Sequence, residues 1–178
     1  MVAAMIHDLR DLAASLPKGG RLLGLDVGTK TIGLAVSDPG LVVASPIGTI
    51  ERRKFTQDAQ ELARKIRDYD VKGLVLGLPL NMDGSEGPRA ESTRALAKNL
   101  MERPDLLGWE AEIAFWDERL STAAVERFMI GQDMTRKRRG EVVDKMAAAY
   151  ILQGALDWLA NARRQAERDA AGDDEDDT

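Results

Sequence analysis

Three carboxylates stand where their chemistry is worth accounting for. Asp26 lies inside Leu22-Leu23-Gly24-Leu25-Asp26-Val27, a short apolar run of the kind that forms a buried strand. A carboxylate there loses its hydration, so it must be paired, hydrogen-bonded or bound to a cation. Gly28, Thr29 and Lys30 follow, a tight turn that presents a hydroxyl, backbone N–H groups and an ammonium beside it. These residue types suit a structural hairpin aspartate, a metal ligand or a phosphate-loop aspartate. Glu118 closes a second apolar run in "WDERLST". Alternation places Ile113, Phe115 and Asp117 on one face and Ala114, Trp116 and Glu118 on the other, so only one of the two acids can face a given site. Arg119 could simply pair with either. Asp144, in "RGEVVDKMAAAYILQGALDWL", shares a helical face with Ala148, Ile151, Ala155 and, more loosely, Trp158. An acid on an apolar face is informative, although a first-turn aspartate also gains modest support from the helix dipole.

If the last helix packs its small alanines against a sheet, Asp144 approaches the strands carrying Asp26 and Glu118. Carboxylates gathered in one cleft repel each other, and hard oxygen-binding cations are the usual remedy. Mg²⁺ and Mn²⁺ suit such a site. Two such ions roughly 3.5–4 Å apart can activate a water and stabilise the leaving oxygen of a phosphodiester.

The elements that must position these acids follow from periodicity. Met5, Leu9, Leu12 and Leu16 have helical spacing and precede a Pro17-Lys18-Gly19-Gly20 linker, which suggests an added N-terminal helix over residues 5 to 16. Three strand-like runs come next, "LLGLDVG", "TIGLAVSD" and "LVVASPIGTI", the first two joined by a turn short enough for an antiparallel hairpin. The period then changes. Ala59, Leu62, Ala63 and Ile66 form a helical stripe, and "VKGLVLGLP" reads as a strand buried on both faces. The polar loop "NMDGSEGPR" leads into a helix from about Ala90 to Glu102, ended by Pro104. "WEAEIAFWDE" is again a strand, a third helix is expected near Ser121-Thr122, and the last helix should run from Glu141 to about Arg168. The expected division is an N-terminal extension over 1–20, one α/β domain over 21–168, and a disordered acidic tail over 169–178.

Composition narrows the chemistry. The chain of 178 residues has no cysteine and one histidine, His7. Disulfides, zinc ribbons and thiol nucleophiles are excluded, and a Ser-His-Asp triad is improbable. Any metal must be held by oxygen. The net charge is −5, but five acids lie within "GDDEDDT", which leaves the first 172 residues balanced at 25 basic and 25 acidic side chains. The start lacks a basic n-region and no run approaches a membrane span, so a soluble, unexported, cytoplasmic protein without membrane contact is expected.

At this point "LGLDVGTKTIGLAVSD", "VLGLPLNMDGSEGPR", "WDERLSTAAVE" and "KRRGEVVDKMAAAYILQGALDWL" closely resemble, in order and spacing, the bacterial pre-16S rRNA nuclease family, also described as Holliday-junction-resolvase-like. That family belongs to the RNase H-like superfamily of metal-dependent nucleases. The likeness runs from about Arg21 to Leu159. It implies an RNase H-like mixed sheet, three antiparallel strands followed by parallel strand-helix units, with helices on both faces. It implies that Asp26, Glu118 and Asp144 form an acidic triad for Mg²⁺ or Mn²⁺. It also places the "GLPLNMDG" loop over the cleft, where Asn81, Asp83 and Gly84 either position substrate or simply build a turn with Pro79. By the same resemblance the activity is an endonuclease maturing the 5′ end of 16S rRNA, with branched-DNA junction cleavage as the older alternative and a non-catalytic RNA-binding assembly factor as a third.

Substrate contact would come from Thr29, Lys30 and Arg119 near the scissile phosphate, and from Arg136, Lys137, Arg138 and Arg139 before the helix carrying Asp144. Trp109 and Trp116 read as core. With aromatics at 4%, base-specific reading is weak, and recognition by shape and backbone, within a ribosomal particle, is expected. A monomer suits one RNA strand, whereas a homodimer suits a symmetric junction. "GLDVGTK" is also similar to the first phosphate loop of actin-like and sugar kinases. Those folds need a second domain and a second Asp-containing loop, and no such motif occurs.

Overall fold

The computed structural model describes residues 5–117, 119 and 136–173. In chain order the elements are β1 (Met5–His7), α1 (Leu9–Ser15), β2 (Arg21–Val27), β3 (Thr31–Ser37), β4 (Ala44–Glu51), α2 (Phe55–Asp68), β5 (Val71–Leu78), α3 (Pro88–Glu102), α4 (Pro104–Leu107), β6 (Glu112–Asp117) and α5 (Arg136–Asp173). The third expected helix, near Ser121-Thr122, lies outside the described residues.

The six strands form one sheet in the order β1-β6-β5-β2-β3-β4. β2, β3 and β4 are antiparallel to one another, and β5, β6 and β1 run parallel to β2. This is the RNase H-like mixed sheet that the resemblance implied. Its parallel strands share one carboxyl edge, where Val27, Leu78 and Asp117 end.

Both faces are covered, which is why the central strands read as continuous apolar runs. On one face Leu23, Leu25, Leu74, Leu76 and Ile113 pack with Ala59, Leu62 and Ile66 of α2 and Leu96 and Leu100 of α3. On the other, Leu22, Ala35, Val75, Ala114 and Trp116 meet Leu9 and Leu12 of α1 and Ala148, Ile151, Leu152 and Ala155 of α5. The alternation expected of the last strand is realised, because Ile113 and Phe115 join the first layer and Ala114 and Trp116 the second. Trp109 packs against the first layer, so both tryptophans belong to the core.

Two expectations change at the ends of the chain. The helical pattern over 5 to 16 divides: Met5–His7 is a strand paired with Glu112, Ile113 and Ala114, and only Leu9–Ser15 is helical, capped by Asp8 through the Arg10 N–H at 2.7 Å. The last helix begins at Arg136, earlier than Glu141, and reaches Asp173, so residues 169–173 of the expected tail continue it. An internal Gly140 costs a helix about 1 kcal/mol, too little to interrupt one anchored along its length.

α5 lies close on β2. A Cβ added to Gly24 would come within 2.8 Å of Leu152 Cβ and 3.1 Å of the Ala148 carbonyl oxygen. Gln153 fixes the helix further along, accepting from the Ala44 N–H at 2.9 Å and donating to the Val42 carbonyl at 2.9 Å. The 38–43 loop it holds is wound around Asp38, which accepts the Val42 and Val43 N–H groups at 2.7 and 2.9 Å. Those backbone donors, Val43 first, hold the Asp38 carboxyl below its usual pKa. Gly24→Val forces helix and strand apart and should destabilise the protein by about 1–3 kcal/mol, read as a lowered urea midpoint with an unchanged denaturant slope.

Candidate active site at the carboxyl edge of the sheet

Asp26 is the penultimate residue of β2. Leu22 and Gly24, two and four positions before it, face α5, so strand alternation puts Asp26 on the α5 side of the sheet. Its residue is 9% exposed, and it stands opposite Gly33 of β3, which contributes no side chain. Arg89 Nη2 approaches Asp26 Oδ1 to 3.7 Å. The buried carboxylate therefore has a cationic neighbour, one of the three solutions its burial requires. Arg89 was not among the candidates drawn from sequence. It sits at the first turn of α3, after the Gly87 N-cap and Pro88, and only the fold carries that turn to the end of β2.

The turn after Asp26 is closed by the Gly28 N–H donating to the Thr31 carbonyl at 2.9 Å. A Cβ at Gly28 would lie 2.8 Å from that same oxygen, so the turn needs glycine there. Arg52 braces it, donating from Nη1 to the Gly28 carbonyl and from its N–H to the Lys30 carbonyl, both at 2.8 Å. Thr29 and Lys30 are left exposed at the edge.

The loop after β5 is built largely by its own polar groups. Asp83 Oδ1 accepts the Ser85 N–H at 2.9 Å and its hydroxyl at 2.6 Å, Asn81 Nδ2 donates to Ser85 Oγ at 3.0 Å, and the Gly84 N–H donates to the Asn81 carbonyl at 2.9 Å. Gly84 has a φ of +86°, the left-handed region that favours glycine. Of the two readings of this loop, the turn-building one accounts for these contacts. The Ser85 hydroxyl and N–H, with Arg119 adding its charge, keep the Asp83 carboxyl below its ordinary pKa.

Arg119 joins that loop to the end of β6. Its Nε lies 3.1 and 3.0 Å from the two oxygens of Asp117, its Nη2 lies 2.7 Å from Oδ2, and its Nη1 reaches the Met82 carbonyl at 3.4 Å. The pair is mutual. Arg119 lowers the Asp117 pKa chiefly through hydrogen bonding, and Asp117 raises that of Arg119. Asp117, one of the two acids in "WDERLST", is thus engaged with Arg119 and orients its guanidinium. Glu118 lies outside the described residues.

Asp144 is carried by α5, one turn before Ala148, and its side chain lies outside what is described, as do those of Arg136, Lys137, Arg138 and Arg139. Its backbone placement still has content. Ala148 sits over Gly24, and Gln153 lies toward the opposite, Ala44 end of the sheet. Four residues back along α5 is about 6 Å, and two residues forward along β2 is about 6.6 Å. Both steps run toward the edge that carries Asp26. Because α5 starts at Arg136, the four basic residues form its first turn and Asp144 lies in the third, too deep for the dipole support expected of a helix start.

His7, distant in sequence from the acids, ends a strand registered against Ala114, three residues before Asp117. Among the described residues no three carboxylate or imidazole groups converge to hold a metal. The described donor at the edge is one nearly buried carboxylate, Asp26, with an arginine 3.7 Å away; in a chain without cysteine, oxygen is the ligand type it could offer a hard cation.

A family model described as RuvX, Holliday junction resolvase, matches residues 20–158. A protein of Rhodospirillum centenum, named "Putative pre-16S rRNA nuclease", is 69% identical over 96% of this chain and 88% of its own. One of the same name from Rhodospirillum rubrum is 58% identical over 89% of this chain and 96% of its own. A solved structure of T. thermophilus RuvC in complex with Holliday junction substrate overlaps 77% of this chain and 93% of its own, with a TM-score of 0.42 and 13% identity. With most of its length matched by the family model and by relatives of this identity, the chain belongs to the RuvX, Holliday junction resolvase, family.

Proposed function

We propose that this protein is a metal-dependent endonuclease that hydrolyses phosphodiester bonds in precursor 16S rRNA, trimming its 5′ end within a cytoplasmic ribosomal particle. The observation that carries this reading is the nearly buried Asp26 at the carboxyl edge, with Arg89 beside it and Arg119 held nearby by Asp117. The names of the Rhodospirillum relatives favour RNA as the substrate. The description of the family model favours a second reading, cleavage of a branched DNA junction, for which a homodimer would supply two sites.

Asp26, Glu118 and Asp144 would hold the metal. Bound there, Mg²⁺ or Mn²⁺ in a two-ion arrangement supplies Lewis-acid stabilisation of charge on the attacking and leaving oxygens. The rest falls to the chain. Arg89 and Arg119 grip phosphate oxygens, and Asp117 keeps the Arg119 guanidinium in one orientation so that less freedom is lost on binding. Lys30 and the Thr29 hydroxyl reach the neighbouring phosphate from the turn after Asp26. The Asn81-to-Ser85 loop, fastened internally by Asp83, gives Arg119 a fixed carbonyl to lean on at Met82. Hydrolysis by this route leaves a 5′-phosphate and a 3′-hydroxyl.

With Mn²⁺ present, an end-labelled 16S precursor RNA should be cut and a four-way DNA junction left whole, and EDTA should stop the reaction. Cutting of the junction alone would establish the second reading. Asp26→Asn should lower turnover on the order of 10³-fold while RNA is still bound, measured by single-turnover cleavage beside a gel-shift assay. Loss of binding together with cutting would instead make Asp26 structural. Arg89→Gln should cost on the order of 10²-fold in kcat, measured by single-turnover cleavage.

A further inference from the structure

A second group of cations lies along the same edge, beyond the acids. Glu51 at the end of β4 is registered against Thr31, so Arg52, Arg53 and Lys54 emerge beside the turn that holds Thr29 and Lys30. Their positions are fixed by backbone contacts. Arg52 is tied to the carbonyls of Gly28 and Lys30, and the Arg53 N–H donates to Asp58 Oδ1 at 2.9 Å. Asp58 is buried at 6% exposure and spends its carboxylate on that backbone group. Among the described residues, Lys30, Arg52, Arg53 and Lys54 form no ion pair, whereas Arg94, Arg103 and Arg119 each hold an acid. Within residues 51–54 the one acid is Glu51, and Asp58 of the first turn of α2 is buried against the Arg53 N–H.

This asymmetry matters because the first 172 residues are electrically balanced, so attraction for a polyanion has to come from local excess rather than from total charge. We propose that Lys30, Arg52, Arg53 and Lys54 form a ledge that binds the sugar-phosphate backbone of single-stranded RNA flanking the cleavage point, along the turn after β2 and the start of α2. The proposal rests on the nuclease reading above and adds the path of the substrate. Backbone contacts of this kind position a strand and supply affinity without reading bases, in keeping with a chain poor in aromatic residues. The ledge raises affinity in the ground and transition states alike, so it acts on KM and leaves kcat unchanged.

The test uses the full chain and a fluorescein-labelled single-stranded RNA from the 16S precursor, with anisotropy followed from 50 to 200 mM salt in EDTA. Arg53→Ala/Lys54→Ala removes two ledge cations. Arg64→Ala/Arg67→Ala removes the same charge from exposed positions toward the other end of α2. The ledge pair should weaken binding on the order of tenfold and reduce the salt slope by about 1.4, two contacts at about 0.7 each for a single strand. Its KM in Mn²⁺ should rise in proportion, with kcat and melting temperature unchanged. The Arg64 and Arg67 pair should stay within about twofold of wild type on the same scale. Equal losses in both pairs would overturn the ledge in favour of a general charge effect. Wild-type affinity and slope in the ledge pair, alongside a wild type that binds and cuts RNA, would overturn the ledge and leave the nuclease standing. A wild type that neither binds nor cuts would overturn both.

Discussion

The seam between Gly24 and the Ala148–Leu152 turn of α5 sets the spacing on which the carboxyl edge depends. Helix and strand approach so closely there that no side chain fits on the strand, and the contact is made by Leu152 Cβ and the Ala148 carbonyl oxygen. Such a contact has little slack, because packed interiors transmit displacement instead of absorbing it. One residue of slippage along α5 would move its preceding turn by about 1.5 Å. The Gln153 bonds to the 42–44 backbone resist that slippage from the far side. Two acids distant in the chain are thus brought toward one edge by contacts that are mostly apolar and lie away from the edge itself.

Electrostatic organisation then follows a division of labour among arginines. Arg119 is committed to Asp117 and a backbone carbonyl, Arg94 to Glu86 and the face of the Phe115 ring, and Arg52 to the Gly28 carbonyl of the turn. Planar guanidinium groups suit such fixed forks better than flexible ammonium groups do. Exposed pairs of this type add little stability. Their effect is on orientation, which is what a site handling phosphate oxygens needs.

Much of this was legible in the sequence, and the remainder was hidden for physical reasons. The apolar run around Asp26, the antiparallel start and the α2 stripe follow from period and turn chemistry, and the structure reproduces each. The Met5–His7 strand was absorbed into a helical pattern because three residues are too few to express a period of two. α5 begins before the expected Glu141 because the basic stretch ahead of it, which reads from sequence as a separator, is part of the helix. Arg89 could not be found from spacing. It lies 63 positions from Asp26 in the chain, and only the parallel pairing of β2 with β5 brings its helix to that carboxylate. Alternation alone does not reveal that Asp117 pairs with Arg119, since the fork depends on local backbone geometry at the end of β6.

The short strand β1 has a consequence for how the chain reaches this state. Met5 finds its partner only at Glu112, far along the chain. Until β6 exists, the N-terminal segment has nothing to pair with, and pairing across so long a loop adds entropy cost before it adds contacts. When it docks, it covers the open border of β6, whose unpaired N–H and C=O groups would otherwise be a template for a neighbouring chain. The segment thus replaces the six-residue border of β6 with a three-residue edge strand, a shorter template for a neighbouring chain, once the central strands are in place.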